Sequence, residues 1–234
     1  METPSKQRRE FTGGLLSLTA GLALLRMDPV RAAGFNDVDA AQAMRTALER
    51  GAVAAVALLG RTDGFLGNPA VRIPLPGFLD DAAKLLKATG QQKRVDELVT
   101  AMNRAAEQAV PKAQALLVKT AKAVTVQDAV AIVRGGETSV TDFFAGKTRA
   151  PLTEQFLPIV TQATERVSLA DKYNAVAGKA AKLGLLKGDD TNLQRYVTGK
   201  ALDGLFRIIG EEEKKIRRDP LGTGSAILKK VFGG

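Results

Sequence analysis

Apolar residues recur at helical spacing along almost the whole chain, and this pattern constrains the fold more than any other sequence feature. Capping residues and glycines interrupt it at regular intervals, as they do at helix ends. No stretch of strand length alternates between apolar and polar residues. The sequence therefore predicts an all-α fold, a single bundle-like domain of roughly seven to nine helices. A second lobe that separates near residues 134–150 is the alternative.

Residues 63–77, DGFLGNPAVRIPLPG, interrupt the helical pattern with prolines. Residues that precede proline favour extended conformations. Alternation along an extended chain then places Val71, Ile73 and Leu75 on one side, and Arg72 with two prolines on the other. We call residues 63–77 the strap. We interpret it as an extended scaffold element laid across helices with its apolar side down, and a binding site is the alternative.

Arg72 carries the charge on the outward side of the strap, between Asp63 and Asp80. An arginine in such a position pairs well with a carboxylate. We predict an ion pair between Arg72 and either Glu212 or Asp142.

Glycines, prolines and capping residues predict where individual helices begin and end. A first helix is capped by Asn36 or Asp37, and its apolar second half, 51–60, predicts burial on all sides. Pro111 should kink or divide a long helix over 92–122.

Later in the chain, Thr125-Val-Gln-Asp128 has nearly the spacing of a capping box. The remaining predicted helices are a short one around Ser139–Lys147, a separate one from Thr153, one from Ser168 to Gly184, a long one from Asp190 or Thr191 to before Pro220, and a last one, SAILKKVF.

The amino-terminal residues have the pattern of an export signal. An RRxF core at residues 8–11 precedes a short apolar stretch, 13–25, and small or branched residues before Ala32. We predict that residues 1–32 are a twin-arginine-like signal peptide. Residues 33–234 would then be the mature domain, periplasmic in a Gram-negative cell. An ordinary secretory signal or an uncleaved anchor is the alternative.

Composition narrows the chemistry that the chain can perform. The sequence has no histidine and no cysteine, which removes the commonest general base, the thiolate nucleophile and the usual ligands of zinc. We expect no cofactor, although an all-oxygen calcium or magnesium site stays open. No catalytic motif occurs, so the sequence leans against an enzyme. A spanning helix needs about 20 apolar residues, and we expect none in the mature chain.

The net charge of +9 favours anionic partners. For an exported protein these are lipid head groups, lipopolysaccharide or peptidoglycan, and export argues against nucleic acid. The excess positive charge is spread along the chain, so a role in solubility is an equal interpretation.

The last long helix places a carboxylate on its apolar stripe. Glu212 lies one turn after Ile208 and one turn before Ile216. A buried carboxylate must be paired or protonated, so we predict an Arg or Lys partner. A solvated run with pairs such as Glu211–Lys215 is the plainer interpretation.

The segment MNRAAEQ places Asn103 and Glu107 beside the apolar stripe of its helix, and Arg104 opposite. Arg104 is then a surface residue. Where another helix packs on that side, Arg104 becomes a bidentate partner for a buried carboxylate such as Glu212.

As a set, five segments of this chain resemble a bacterial family of exported all-helical envelope proteins, catalogued as a domain of unknown function. The segments are DGFLGNPAVRIPLP, MNRAAE, TDFFAGKT, KALDGLF and EEEKKIR. The resemblance covers about residues 38–233 and implies an all-helical envelope protein without an established activity. The residues with binding chemistry within its motifs are Arg72, Asn103, Arg104, Asp142, Lys147, Glu212 and Lys215.

Three functional hypotheses follow. The first is a periplasmic binding module for an apolar or amphiphilic ligand, such as a lipid or fatty acid. The second is a structural or interaction protein of the envelope with a protein partner. The third, a hydrolase or lyase based on a carboxylate with Lys or Arg, is disfavoured by the absence of histidine. We place the binding module first.

Overall fold

The structure is a computed structural model that describes residues 37–136, 139–165, 167–182, 184 and 187–218. Its α-helices are α1 (Asp37–Leu59), α2 (Asp80–Ala88), α3 (Gln92–Ala109), α4 (Gln114–Lys122), α5 (Val126–Arg134), α6 (Ser139–Thr164), α7 (Ser168–Lys182) and α8 (Leu193–Arg218). Three short 3₁₀ turns lie at Gly77–Leu79, Val110–Ala113 and Gly188–Thr191. These residues contain no strand, which confirms the all-α prediction. The predicted signal peptide and the helix SAILKKVF lie outside the described residues.

The bundle is built around α6 and α8, which pack against each other. Helix α3 lies against α6, and α1 lies against α8, α4 and α5. One hydrophobic core runs through these helices and includes Phe65 of the strap, which has no exposed surface. None of the described helices combines the length and the apolarity needed to cross a membrane.

The apolar half of α1 is buried on one side only, so the prediction of burial on all sides is wrong. Ala55 and Leu59 have no exposed surface, whereas Val53 is 38% exposed. Ala54 and Ala57 also face solvent. Small side chains present little apolar area to water, so this outer face needs no covering element.

Proline acts differently in the two long helical segments. Pro111 ends α3 as predicted, since the chain passes through a 3₁₀ turn before α4 begins. By contrast, α6 continues through Pro151 and Pro158, and the predicted break before Thr153 is wrong. Proline removes one backbone donor from a helix. In α6 every fourth residue from 140 to 164 is buried on both sides of each proline, and this packing keeps the helix continuous.

Two helix starts show how local side chains fix the ends. Thr125 and Asp128 form the predicted capping box, with both reciprocal hydrogen bonds present. Hydrogen bonds from the backbone and side chain of Thr125 hold the pKa of Asp128 below its usual value. Helix α8 begins slightly later than predicted, after Asn192, whose Oδ1 accepts a 3.1 Å hydrogen bond from the backbone N–H of Arg195.

Candidate functional site

The first half of the strap forms consecutive tight turns, and its second half contains none. The backbone N–H of Asn68 donates to the carbonyl of Phe65 at 3.1 Å, and that of Arg72 donates to the carbonyl of Asn68 at 2.8 Å. Residues 72–76 contain no helix or turn. The predicted extended form therefore does not hold for the first half of the strap, because its glycines and Asn68 favour successive tight turns.

The apolar side of the strap faces the core. Val71 and Ile73 are 7% and 1% exposed, and Leu75 is partly buried. Arg72 is exposed, as the alternation predicts, but Pro76 is buried and departs from it. The chain turns into the 3₁₀ segment directly after Pro76, so the alternation of an extended chain ends there.

Asn103 of α3 binds the strap backbone from within the core. Its Oδ1 accepts a 2.8 Å hydrogen bond from the N–H of Ile73, and its Nδ2 donates to the carbonyl of Ile73 at 2.9 Å. Nδ2 also donates to the carbonyl of Val99 at 2.8 Å. Asn103 has no exposed surface. Asn103 thus provides hydrogen-bond partners for both the N–H and the carbonyl of Ile73, which are buried away from water.

Glu107, one turn further along α3, binds the first half of the strap. Its Oε1 accepts hydrogen bonds from the N–H groups of Phe65 and Leu66 at 3.0 and 3.1 Å. Its Oε2 lies 2.6 Å from Nη1 of Arg104, and Nη2 of Arg104 lies 2.8 Å from Oδ1 of Asp63. The Glu107 carboxylate is only 5% exposed, so these contacts compensate its burial.

Arg104 is therefore neither a simple surface residue nor a partner of Glu212. The element that packs against its side of α3 is the strap, whose Asp63 has a φ of 63°. The hydrogen bond to Glu107, with a smaller contribution from Asp63, raises the pKa of the Arg104 guanidinium. Arg104 thus connects the buried carboxylate to the start of the strap.

Helix α8 supports the other side of the strap. The hydroxyl of Tyr196 donates to the carbonyl of Pro74 at 3.1 Å, and Nη1 of Arg207 donates to the carbonyl of Ala70 at 2.8 Å. Gly204 lies between these two residues, and a Cβ there would come within 2.8 Å of the Phe65 ring and 3.2 Å of Val71 Cβ. The strap therefore lies directly on the α8 backbone.

Arg72 has no carboxylate partner among the described residues, so its predicted ion pair with Glu212 or Asp142 is wrong. The strap is held through its backbone by Asn103, Glu107 and α8, and this arrangement directs the Arg72 side chain to solvent. Arg72 instead lines two open grooves, one on each side of the strap.

The first groove, which we call the α8 groove, has a volume of about 560 Å³. Its apolar part comes from the strap and from Tyr196, and its charged residues besides Arg72 are Lys200, Asp203 and Arg207. Asp203 is paired with Arg149 at 2.6 Å, and the Lys200 ammonium lies 5.8 Å from the centre of the Tyr196 ring. Positive charge exceeds negative charge around the groove.

The second groove, which we call the α2 groove, lies between the strap, α2 and α3 and has a volume of about 410 Å³. Its apolar residues are Pro74, Leu75, Ala83, Val95 and Val99. Its charged residues are Arg72, Lys84, Lys87 and Asp96. Both grooves therefore combine an apolar surface with an excess of cations.

Asp142 and Lys147 lie near the start of α6 and are both exposed. The Lys147 ammonium is 5.9 Å from the centre of the Phe143 ring, and its charge contributes to the lowered pKa of Asp128. Neither side chain makes an ion pair within the described ranges. They form no shared site with the strap.

At the end of α8, the buried carboxylate is Glu213 and not Glu212. Glu213 is 3% exposed, whereas the Glu212 side chain is 20% exposed and pairs with Lys215 at 2.6 Å. Gly51 of α1 approaches α8 at this point, and a Cβ there would lie 3.8 Å from Cβ of Glu212 and 3.9 Å from the Glu213 backbone nitrogen. The apolar stripe of α8 therefore runs through Glu213, one residue from the position that helical spacing predicts.

The seven predicted residues therefore do not form one site. Asn103 and Arg104 meet at the strap, Arg72 lies on its outer side, and the remaining residues lie at the start of α6 and the end of α8. The described residues contain no group of three or more carboxylates arranged to hold a metal ion.

Sequence reasoning missed the groove residues of α8. Lys200, Asp203 and Arg207 are spaced three and four residues apart, which places them on one face of a helix. That spacing could have identified these three residues from the sequence. The role of Asp63 could not be predicted from the sequence, because Asp63 pairs with Arg104, which is distant in sequence.

Comparison with known proteins gives a family and no activity. The model of a family described as a protein of unknown function (DUF4197) matches residues 34–233. No curated protein and no solved structure matches the chain. The family match spans every described helix, and the chain therefore belongs to the DUF4197 family.

Proposed function

We propose that this protein is a binding module for an anionic amphiphile, which it holds in the α8 groove. The observation that carries the proposal is the combination of Arg72, Lys200 and Arg207 with the apolar surface of the strap in one groove. An acidic head group would contact the cations, and an acyl or alkyl chain would lie along the apolar part.

The charges of the groove favour an anion at Arg72 in particular. Arg207 already donates to Ala70 and contacts Glu211 at 3.1 Å, and Asp203 is neutralised by Arg149. The Arg72 guanidinium is exposed and has no ion pair among the described residues. A guanidinium offers a planar pair of donors that suits a carboxylate or phosphate. Arg72 is therefore the residue we assign to the head group.

A groove that is built on a fixed strap suits binding without a large rearrangement. Asn103 and Glu107 hold the strap backbone from inside, and Tyr196 and Arg207 hold it from α8. Preformed sites lose less conformational entropy when a ligand binds. We further propose that the protein works in the periplasm after export by its twin-arginine-like signal, which rests on the pattern at residues 8–11.

The proposal is tested by calorimetric titration with dodecyl phosphate, dodecanoate and an uncharged twelve-carbon alcohol ether, each below its micelle concentration. We expect the two anions to bind and the ether to bind at least about tenfold more weakly, since an ionic hydrogen bond contributes about 1.5–3 kcal/mol. Arg72→Ser should weaken the binding of both anions by about tenfold.

Lys112→Ser provides a matched control, because Lys112 is an exposed cation in the turn between α3 and α4. It should bind both anions as the unmodified protein does. Equal affinity for the ether and the anions, or no binding at all, would overturn the proposal. In the latter case, a reproducible crosslinked protein partner would support the interaction protein instead.

A further inference from the structure

We propose that the α8 groove selects amphiphiles whose head group carries two negative charges, as a phosphate monoester does, over amphiphiles with a single charge. This selectivity rests on the proposed function, because it names the head group that the same groove accepts. It assigns Lys200 of α8 as a second contact of the head group, beside Arg72 of the strap. A head group with one charge would leave one of these two cations without a counter-charge.

Two of the four charged residues that line the groove are neutralised within the protein. Oδ1 of Asp203 lies 2.6 Å from Nη2 of Arg149, which belongs to α6. Nε of Arg207 lies 3.1 Å from Oε1 of Glu211, and its Nη1 donates to the carbonyl of Ala70. Asp203 and Arg207 therefore add little net charge to the groove.

The other two charged residues, Arg72 and Lys200, have no such partner. Both side chains are exposed, and neither forms an ion pair with a carboxylate of the described chain. Asp189 approaches α8 at the neighbouring Gly199, where its Oδ2 would lie 2.8 Å from an added Cβ, but it does not line the groove. The groove thus presents two positive charges to a ligand.

Tyr196 brings these two cations to the same part of the groove. Its hydroxyl donates to the carbonyl of Pro74 at 3.1 Å, and Pro74 follows Arg72 by two residues, which span at most about 7 Å. The Lys200 ammonium lies 5.8 Å from the centre of the Tyr196 ring, one turn further along α8. The ring itself is almost fully buried. A head group beside Tyr196 is therefore within reach of both long side chains.

A phosphate monoester matches this pair of cations in charge and in geometry. Above its second pKa of about 6 it carries nearly two charges on three terminal oxygens. The planar guanidinium of Arg72 suits two of these oxygens, and the ammonium of Lys200, a compact point charge, suits the third. A carboxylate has two oxygens and one charge, and a phosphate diester also has one charge. Either of them would use Arg72 and leave Lys200 to the solvent.

Calorimetric titration with dodecyl phosphate and with its methyl ester, dodecyl methyl phosphate, tests this selectivity. The two probes share the chain and the phosphorus centre, but the methyl ester keeps only one charge. At about pH 8 we expect dodecyl phosphate to bind at least about fivefold more tightly. The difference should disappear at about pH 5, where the monoester also carries one charge. The methyl ester reports any effect of pH on the protein itself.

Three variants at pH 8 assign the second charge to its residue. Lys200→Gln should weaken the binding of dodecyl phosphate about fivefold and change that of the methyl ester by less than about twofold. Arg72→Ser should weaken both. Arg195→Gln is the matched control, because Arg195 is another exposed cation of α8 and lines a different groove. It should keep the preference for the monoester.

Equal affinity for the two probes at pH 8 would overturn the selectivity, and the proposed function would stand if Arg72→Ser still weakens both. A preference that survives Lys200→Gln would overturn the assignment of Lys200. Absence of binding by both probes would overturn the selectivity and the proposed function together. Inorganic phosphate should bind at least about tenfold more weakly than dodecyl phosphate, because it lacks the apolar chain. Equal affinity would indicate a site for free phosphate and overturn both proposals.

Discussion

The strap and α2 follow each other in the chain, yet the fold treats them in opposite ways. The strap has little regular structure, and buried side chains of α3 satisfy its backbone groups. Helix α2 satisfies most of its own backbone and leaves Leu85 exposed. The comparison indicates that side chains of other elements hold the irregular segment in place, whereas the regular helix presents an exposed apolar side chain.

The strongest test of this comparison is Asn103→Ala. The change leaves the N–H and carbonyl of Ile73 buried without a partner, which should cost about 3 kcal/mol of unfolding free energy. Urea unfolding followed by circular dichroism measures the loss. Gln108→Ala is the control, since Gln108 is exposed on the same helix and its change should cost less than about 0.5 kcal/mol. Equal stability of the two variants would show that the strap is not held by Asn103.

Glu107 offers a graded version of the same test. Glu107→Ala removes the acceptor of two strap N–H groups and should cost about 2 kcal/mol. Glu107→Gln retains an acceptor and should cost less, although the ion pair with Arg104 is lost. If both variants lose the same stability in urea unfolding, the ion pair matters more than the backbone hydrogen bonds.

Gly204→Ala tests the contact between the strap and α8. The added methyl group would lie 2.8 Å from the Phe65 ring, and relieving this overlap should cost about 1–2 kcal/mol. Gly178→Ala is the control within α7, where the added Cβ meets no atom within 4 Å apart from its chain neighbours and the backbone of its own helix. Alanine favours the helix at that position by up to about 1 kcal/mol. A rise in melting temperature for both variants would contradict close contact at Gly204.

The smallest stability effect is expected for Arg72→Ser, on the outer side of the strap. Because the Arg72 side chain is exposed, the unfolding free energy should change by less than about 0.5 kcal/mol. The same variant should bind dodecyl phosphate about tenfold more weakly. A large loss of stability would instead assign Arg72 to the scaffold, together with Asn103.

Much of the fold could be predicted because local rules decide it. The capping box at Thr125 and the division at Pro111 both depend on residues adjacent in sequence. The continuity of α6 through Pro151 could not be predicted, because buried contacts with α3 and α8 outweigh the local effect of proline.

The candidate site was predicted less well than the fold. Helical spacing placed Asn103 and Glu107 correctly beside the buried stripe of α3, but it gave no partner for either residue. Helical spacing placed Glu212 on the apolar stripe of α8, with a solvated run as the plainer interpretation, whereas the fold buries Glu213 and leaves Glu212 partly exposed. Helical spacing shows which residues share a face of one helix, whereas packing in the folded protein decides which face is buried.

The sequence by itself determined the all-α fold and a strap whose Val71 and Ile73 face the core, because helical spacing, prolines and alternation act over a few residues. Only the tertiary structure decided what holds that strap. Asn103 and Glu107 lie 30 and 42 residues from their respective partners, Ile73 and Phe65. Hydrogen bonds over that separation form only when packing brings the segments together, and the same packing leaves Arg72 open to solvent.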